Sequence, residues 1–506
     1  MVKDRIKHIF QGVGGAALIV VVAQVLSKGT GFFREILFAG KFGVGKDFEY
    51  FLIAYTIPAM LNSILFYQAQ NYFIPIYNDL KSKDPEEANS FFVSTMLLFT
   101  GLVTLVAAGL YFASDGVISL FLETSSGSDH TAINQLFEMA LLTVPLNAII
   151  SILSAYLIAE FKFKVTYLSQ VWTNLSIIFT VFFFSAWLGT MAIIAGYIMG
   201  SMIQVTHLLF GSKNMFRGKF KFSLAISKNV SWLIFLNTLF VEVVGQIFFF
   251  IDRLFYTNTE PGGIASLNYS YIIYMLPVTI FTTALGSALL PDFAANVAKG
   301  DLKEANAKFT KAIEVILLVF IPASIIFIFA GGEIIGLLYQ RGKFTGDSTL
   351  LTEGTLVYYA ISLPLYAIFA VGLKYAYSLK GSTALVLISL AGLILKYILS
   401  LVLSENMHQN GLALSTSITY IVQSVMCLAF IFKRSGFRLN PELVKNAFFF
   451  LLYSSMILLV CYLLVSQFNL TTLILPLCFI LAYPLILHIT RNSVYEEIVS
   501  RFLKSR

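Results

Sequence analysis

Fourteen stretches of about twenty or more mainly apolar residues follow one another along this chain, and that recurrence constrains its fold more than any other feature. A helix needs roughly 20 apolar residues to cross ~30 Å of hydrocarbon. The stretches run at about 13–40, 48–76, 90–113, 134–159, 165–187, 189–211, 229–254, 264–294, 311–331, 355–379, 383–404, 410–432, 446–466 and 470–490. Only 12% of the residues are charged, 58% are hydrophobic, and the mean hydropathy is +0.82. A soluble domain of 506 residues cannot hide that much apolar surface, so a soluble enzyme or nucleic-acid binder is excluded. The expected fold is an all-α polytopic membrane protein with about 14 transmembrane helices. Lys3, Arg5 and Lys7 precede a run with no cleavage-site pattern, which reads as a retained first helix. The first two stretches contain Gly, Pro and polar residues, and bends are expected there.

The basic residues orient the chain. With both termini cytoplasmic, the cytoplasmic segments hold 25 Lys and Arg and the outer loops hold four, Lys41, Lys46, Arg341 and Lys343. That asymmetry follows the positive-inside rule. The net charge of +7 is thus an orientation signal and requires no nucleic-acid partner.

The chain also repeats itself. GFFREILFAGKFG, LIAYTIP, NYFIPIYNDL and DPEEANSFF answer FFFIDRLFY, SYIIYMLP, SALLPDFAAN and GDLKEANAKF. Arg34 to Pro58 and Arg253 to Pro277 are both 24 residues, and Glu87-Ala88-Asn89 matches Glu304-Ala305-Asn306. The copies begin six spans apart, an even number, which predicts parallel lobes around a central cavity, as in transporters. The expected division is a six-helix lobe over 1–221, a second over 222–438, and two further helices with a basic tail over 439–506.

Ionisable residues within a span cost ~2.5–3.5 kcal/mol on insertion scales, so they mark a cavity or a partner. Span 1 holds Lys28, Arg34 and Glu35. Lys28 and Glu35 are seven apart and share a helix face. Arg suits phosphate because its planar fork donates two hydrogen bonds at once. The bland alternative is a structural Arg34–Glu35 pair at the membrane edge. Span 7 holds Glu242 near its middle and Asp252-Arg253 near its end. Glu242 is a candidate for ion coupling, and Asp252-Arg253 also fits an interfacial pair. Lys396 lies too deep for easy snorkelling and is expected to face a cavity, whereas Lys374 can snorkel. Asn62, Gln68, Gln70 and Asn71 make span 2 polar. Glu49, Glu138, Glu160 and Asp292 lie near span ends and read as interfacial.

No nucleotide-binding or hydrolase motif is present, so the chain is expected to be a transporter and not an enzyme. His8, His130, His207, His408 and His488 are scattered, and Cys427, Cys461 and Cys478 lie in apolar runs. Neither set has metal-ligand spacing, and no cofactor is expected.

Ser27-Lys28-Gly29-Thr30-Gly31-Phe32-Phe33-Arg34-Glu35, followed by Lys41-Phe42-Gly43, resembles the first-helix signature S-R-x-x-G-F-x-R-D/E…x-F-G of the MurJ/MviN lipid II flippases, in the multidrug/oligosaccharidyl-lipid/polysaccharide exporter superfamily. Ala54 to Pro58, Phe73-Ile74-Pro75, Ala284-Leu285-Gly286 with Leu289-Leu290-Pro291, Gln340-Arg341-Gly342-Lys343-Phe344-Thr345 and Gly411 to Ser417 resemble further family stretches, in order along nearly the whole chain.

The resemblance implies a flippase that carries an undecaprenyl-pyrophosphate-linked peptidoglycan precursor across the bacterial cytoplasmic membrane. It also implies a cationic cavity for the headgroup, a groove at helices 13 and 14 for the lipid tail, and drive by membrane potential or an ion, H+ or Na+. Other implied partners are membrane lipids and cell-wall assembly proteins. The expected headgroup residues are Lys28, Arg34, Glu35, Asn62, Arg253 and Lys396, with Glu242, Asp252 and Lys374 for ion coupling or charge pairing. The sequence departs from the family in several places. Lys28 stands for its first Arg, and its helix-2 Arg falls on Asn62 or Ser63. Its helix-8 Arg is Ile272, its helix-10 Lys falls on Ala370 with Lys374 one turn later, and span 11 lacks the Asn/Asp sodium site of some members. These departures keep three alternatives open: a flippase for an O-antigen, capsule or exopolysaccharide unit, an ion-coupled drug exporter of the same superfamily, and a non-transporting scaffold.

Overall fold

The computed structural model describes residues 13–122, 127–213, 232–467 and 472–490, with isolated positions 222, 492, 494–496 and 500. Its long elements are all helical. In chain order they are α1 (Val13–Phe42), α2 (Lys46–Gln68), a π segment (Ala69–Phe73), α3 (Ile74–Lys83), α4 (Pro85–Phe112), α5 (Ser114–Ser119), α6 (Gly127–Leu141), α7 (Thr143–Ala159), α8 (Phe163–Leu188) and α9 (Met191–Ser212). There follow α10 (Trp232–Leu254), α11 (Gly263–Ala298), α12 (Leu302–Phe329), α13 (Gly331–Tyr339), α14 (Gly346–Ala360), α15 (Leu363–Ser378), α16 (Ser382–Ser435), α17 (Pro441–Gln467) and α18 (Leu475–Ile489).

Ten described spans are long and apolar enough to cross a membrane, or eleven if the bent pair α14 and α15 counts as one more. These do not include α1 and α10, which carry Lys28, Arg34, Glu35, Glu242, Asp252 and Arg253. The chain is therefore a multi-pass helical membrane protein.

Where helices break, the sequence gives the cause. Pro75 has no N–H to offer the carbonyl four residues back, and the π segment relieves this just before α3. Pro58 remains inside α2. The bend expected in span 1 is not a break, since α1 is helical from Val13 to Phe42. Span 10 is two helices meeting at 52°, with Pro364 opening the second. The two stretches expected at 383–404 and 410–432 lie in α16, kinked at His408 with φ 50°. Gly411 permits this kink, because a Cβ there would collide with the Leu403 carbonyl oxygen.

The chain forms two compact units, Met1–Thr257 and Asn258–Arg506. The lobe boundary expected between 221 and 222 borders residues outside the description, 214–221 and 223–231. By contacts, α10 belongs to the first unit.

The second repeat copy therefore opens on α10 in the first unit and continues through the second, and the matching landmarks have structural causes. Asp84 accepts from the backbone N–H groups of Glu86 and Glu87 and caps α4, while Asp301 accepts from that of Glu304 and caps α12. The Glu-Ala-Asn triplets are thus first turns of equivalent helices. Five residues beyond each Glu, Phe92 packs on Tyr156 with centroids 4.6 Å apart, and Phe309 packs on Tyr375 at 5.2 Å. Five residues beyond each Tyr the helix ends in a left-handed residue, Phe161 (φ 57°) and Lys380 (φ 58°). Earlier in the same spans, Thr143 donates to the Ala140 carbonyl and Ser362 to the Tyr359 carbonyl. The mates 34/253, 58/277, 143/362, 156/375 and 161/380 share one separation, 219 residues. The repeat therefore extends well past the stretch that the sequence pattern marks.

Candidate functional site

In the first unit, Arg34 on α1 is the hub of a polar niche. Its Nε and Nη2 donate to Glu35 Oε1 at 3.1 and 2.5 Å, and its Nη1 donates to Asn174 Oδ1 on α8 at 3.1 Å. Asn174 Nδ2 turns back to the Ser27 carbonyl at 3.0 Å and to Thr30 Oγ1 at 3.3 Å. The amide orientation follows from chemistry, because Arg34 can only donate and the Ser27 carbonyl can only accept. The guanidinium also lies 5.6 Å from the Phe38 ring centroid and 5.7 Å from that of Tyr197. Tyr197 stacks on Tyr55 of α2, with centroids 4.5 Å apart. The Arg34 side chain is 19% exposed and that of Glu35 11%. A guanidinium has five N–H donors. These contacts use three of them and leave one on each terminal nitrogen among the described residues.

The bland expectation of an Arg34–Glu35 pair is thus present, but it is only part of the arrangement. Sequence reasoning missed Asn174, Tyr55 and Tyr197. The available signal for Asn174 was an amide, one of two with Gln170, in the apolar run of span 5.

Lys28 is exposed on α1, nearly two turns before Arg34. Asn62 lies seven residues beyond Tyr55 and so shares its face of α2. Its Nδ2 donates to Thr143 Oγ1 at 3.3 Å, and its Oδ1 is buried without a hydrogen-bond partner among the described residues. Arg34, Glu35, Tyr55 and Asn62 therefore form one polar track, and Lys28 lies on the same helix as Arg34. On α10, Glu242 is half-buried and hydrogen-bonded by Gln246, which also donates to Ser63 Oγ of α2 at 3.0 Å. Asp252 and Arg253 are both buried at the end of that helix.

Two candidates lie in the second unit. Lys396 has no exposed surface. Its ammonium donates to the Leu412 carbonyl at 2.9 Å, Ser415 Oγ at 2.9 Å and Thr416 Oγ1 at 2.7 Å. The expectation that it faces a cavity is not met here, because the second half of α16 folds back over it. Lys374 is exposed on α15.

Of the carboxylates expected at span ends, Glu160 accepts from Lys81 at 2.6 Å and Tyr77 at 2.7 Å, and Glu138 accepts from Ser114 at 3.1 Å. Asp292 pairs with Lys308 at 2.9 Å. Glu49 differs, being 1% exposed, because α2 already begins at Lys46 and turns Phe48, Glu49 and Tyr50 inward while Lys46 and Asp47 stay exposed.

An apolar cavity of about 340 Å³ in the second unit is lined by Phe329, Ser455, Leu458, Leu459, Tyr462 and Leu475, where α12, α17 and α18 meet. Among the described residues no group of three or more His, Cys, Asp or Glu could hold a metal ion.

Tandem copies of bent membrane helices, with charges held inside them, are the architecture of a membrane transporter. The fold is that of MurJ and MATE transporters. The structure titled "Lipid II flippase MurJ, inward closed conformation" is similar with a TM-score of 0.79 and 24% identity, over 96% of this chain and 99% of that one. A multidrug resistance MATE family transporter in an inward-facing conformation is similar with a TM-score of 0.63 and 13% identity, over 85% and 99%. The family model described as "Lipid II flippase MurJ" matches residues 38–483, and the chain belongs to that family. Relatives include "Probable lipid II flippase MurJ" of Borreliella burgdorferi, 25% identical over 83% of each chain. "Lipid II flippase MurJ" of Thermosipho africanus is 27% identical over 80% of this chain and 83% of its own.

Proposed function

We propose that this chain flips lipid II, the undecaprenyl-pyrophosphate-linked peptidoglycan precursor, from the inner to the outer leaflet of the bacterial cytoplasmic membrane. Membership of the flippase family over residues 38–483 carries this reading. The chain would cross the membrane fourteen times with both termini cytoplasmic, as the basic residues suggest.

Arg34 would take the pyrophosphate through the donors that Glu35 and Asn174 leave open. A charge-assisted bidentate contact is stronger and more directional than a point charge. Glu35 would hold the fork in place, and Lys28 would add a second cation at the exposed edge. Asn62 would contribute its unsatisfied carbonyl oxygen to the sugar or its hydroxyls. Arg253 and Lys396 would supply fixed positive charge. Glu242 is the candidate for coupling to H+ or Na+, with Asp252 and Lys374 as charge partners. The apolar cavity at α12, α17 and α18 suits the lipid tail, since its lining offers no charge.

Complementation tests this reading. The chain is expressed in a bacterium whose own lipid II flippase can be shut off, and growth and outer-leaflet lipid II are followed. Rescue that is lost in Arg34→Ala is the expected result. Failure of the wild-type chain, with the protein confirmed in the membrane, would favour a second reading. The neutral residues Asn62, Ile272 and Ala370, where the family resemblance leads one to expect cations, favour it specifically. In that reading the cargo is another lipid-linked glycan.

A further inference from the structure

The second unit holds a continuous cluster of five tyrosines: Tyr271 and Tyr274 on α11, Tyr359 on α14, Tyr366 on α15 and Tyr420 on α16. Tyr366 and Tyr420 lie closest, with centroids 4.3 Å apart. Tyr274 contacts Tyr271 at 5.8 Å, Tyr359 at 5.5 Å and Tyr366 at 6.1 Å, and Tyr271 contacts Tyr359 at 5.6 Å. Packing alone does not account for this choice of residue. The chain has 48 Phe against 25 Tyr, yet every ring of this cluster is a Tyr, while the same helices α11 and α15 meet elsewhere through Phe293 and Tyr375. A buried hydroxyl costs free energy unless it is hydrogen-bonded, so a purely structural cluster would favour Phe.

The hydroxyls extend into a polar seam. Tyr274 Oη meets Ser362 Oγ at 3.1 Å, and Ser417 Oγ donates to Ser362 Oγ at 3.0 Å. Tyr274 and Tyr359 are buried, whereas Tyr271 and Tyr366 remain partly exposed. The segments that carry the cluster, 263–277, 355–373 and 409–432, contain no Asp, Glu, Lys or Arg.

Comparison of the repeat copies sharpens the point. Tyr274 is the 219-residue mate of Tyr55. In the first unit that position stacks on Tyr197 beside the Arg34 guanidinium. In the second it joins neutral phenols and serine hydroxyls. One repeat position thus serves a cationic niche in one copy and an uncharged, hydroxyl-rich aromatic surface in the other. Ring faces carry negative potential and do not attract an anion without a cation nearby. They do suit a neutral pyranose, whose C–H face packs on a ring while its hydroxyls exchange hydrogen bonds with phenols.

We propose that this cluster binds the sugar of the cargo, with Tyr271 and Tyr366 in contact and Tyr274, Tyr359 and Tyr420 positioning them. The inference rests on the reading that the cargo is a lipid-linked glycan.

The test uses the full chain in detergent micelles and two probes, lipid II and undecaprenyl pyrophosphate, which lacks the sugar. Tyr366→Ala and Tyr271→Ala should weaken lipid II binding by about tenfold or more and leave undecaprenyl pyrophosphate binding unchanged. The Phe versions keep the ring and should lose less, which guards against a folding defect. Arg34→Ala should weaken both probes. An equal loss for both probes in the Tyr variants, or no loss for either, would overturn the assignment while leaving the flippase reading intact. Wild-type binding of lipid II no tighter than of undecaprenyl pyrophosphate would also overturn it. Wild-type binding of neither probe would sink the flippase reading, and this inference with it.

Discussion

Arg34 and Asn174 are 140 residues apart in sequence and joined by a 3.1 Å hydrogen bond between α1 and α8. The bond fixes the guanidinium from the side opposite Glu35. Position and charge in the niche are therefore set by different residues, and substitutions can separate them.

Arg34→Lys retains the charge but loses the planar fork, and Arg34→Ala loses both. Transport in proteoliposomes should fall by about 10–100-fold for Ala, as expected for a charge-assisted bond of ~1.5–3 kcal/mol, and by less for Lys. Near-wild-type flipping by a well-folded Arg34→Ala protein would remove Arg34 from the site.

Asn174→Asp places a second carboxylate against Arg34 and should quench its attraction for an anion. Asn174→Leu removes the tether and leaves the charge. Binding of a pyrophosphate lipid should therefore fall further in Asp than in Leu. The reverse order would mean that tethering matters more than charge.

Lys396→Met should be tolerated by the fold. Ser415 and Thr416 also donate to the Leu412 carbonyl, at 2.8 and 3.1 Å, so removal of the ammonium strands neither hydroxyl. Replacing a buried charge with an apolar chain of similar volume is often neutral or stabilising. A melting temperature at or above wild type is expected, and a large drop would show that the charge holds α16 together.

Glu160 ties α7 to Lys81 and Tyr77 of α3 at the membrane edge. Burial raises its carboxyl, but the Lys81 ammonium and the Tyr77 hydroxyl outweigh burial and hold it below the ordinary 4.5. A lowered folded-state value stabilises above the unfolded value and is lost as pH falls through the folded one. Wild type should therefore lose more thermal stability below pH 4.5 than Glu160→Gln does, in detergent at constant salt. Parallel curves for the two proteins would show that this contact contributes no pH dependence.

Gly411→Ala should lower the yield of folded protein, because the new methyl group meets the Leu403 carbonyl oxygen across the His408 kink. A normal melting temperature would show that the kink relaxes at little cost.

Much of the fold was legible in the sequence. Apolar length, Pro and Gly positions and the skewed distribution of Lys and Arg act locally along the chain, and each leaves a direct mark on composition. The repeat was visible at Arg34/Arg253 and Pro58/Pro277 because charge and proline are rare within spans. Its continuation through Phe92–Tyr156 and Phe309–Tyr375 was not visible, since aromatic residues are common everywhere in this chain.

The sequence by itself determined that the chain is a helical membrane protein built twice over, and that Arg34 sits where a charge needs a reason. Tertiary structure decided what each charge does. Arg34 and Lys396 look alike in sequence, each a cation inside an apolar span. Packing leaves Arg34 with open donors in a polar niche, whereas it closes Lys396 under a carbonyl and two hydroxyls. Availability to a ligand depends on which neighbours satisfy a group in space, and residues such as Asn174 and Thr416 become neighbours only when the helices pack.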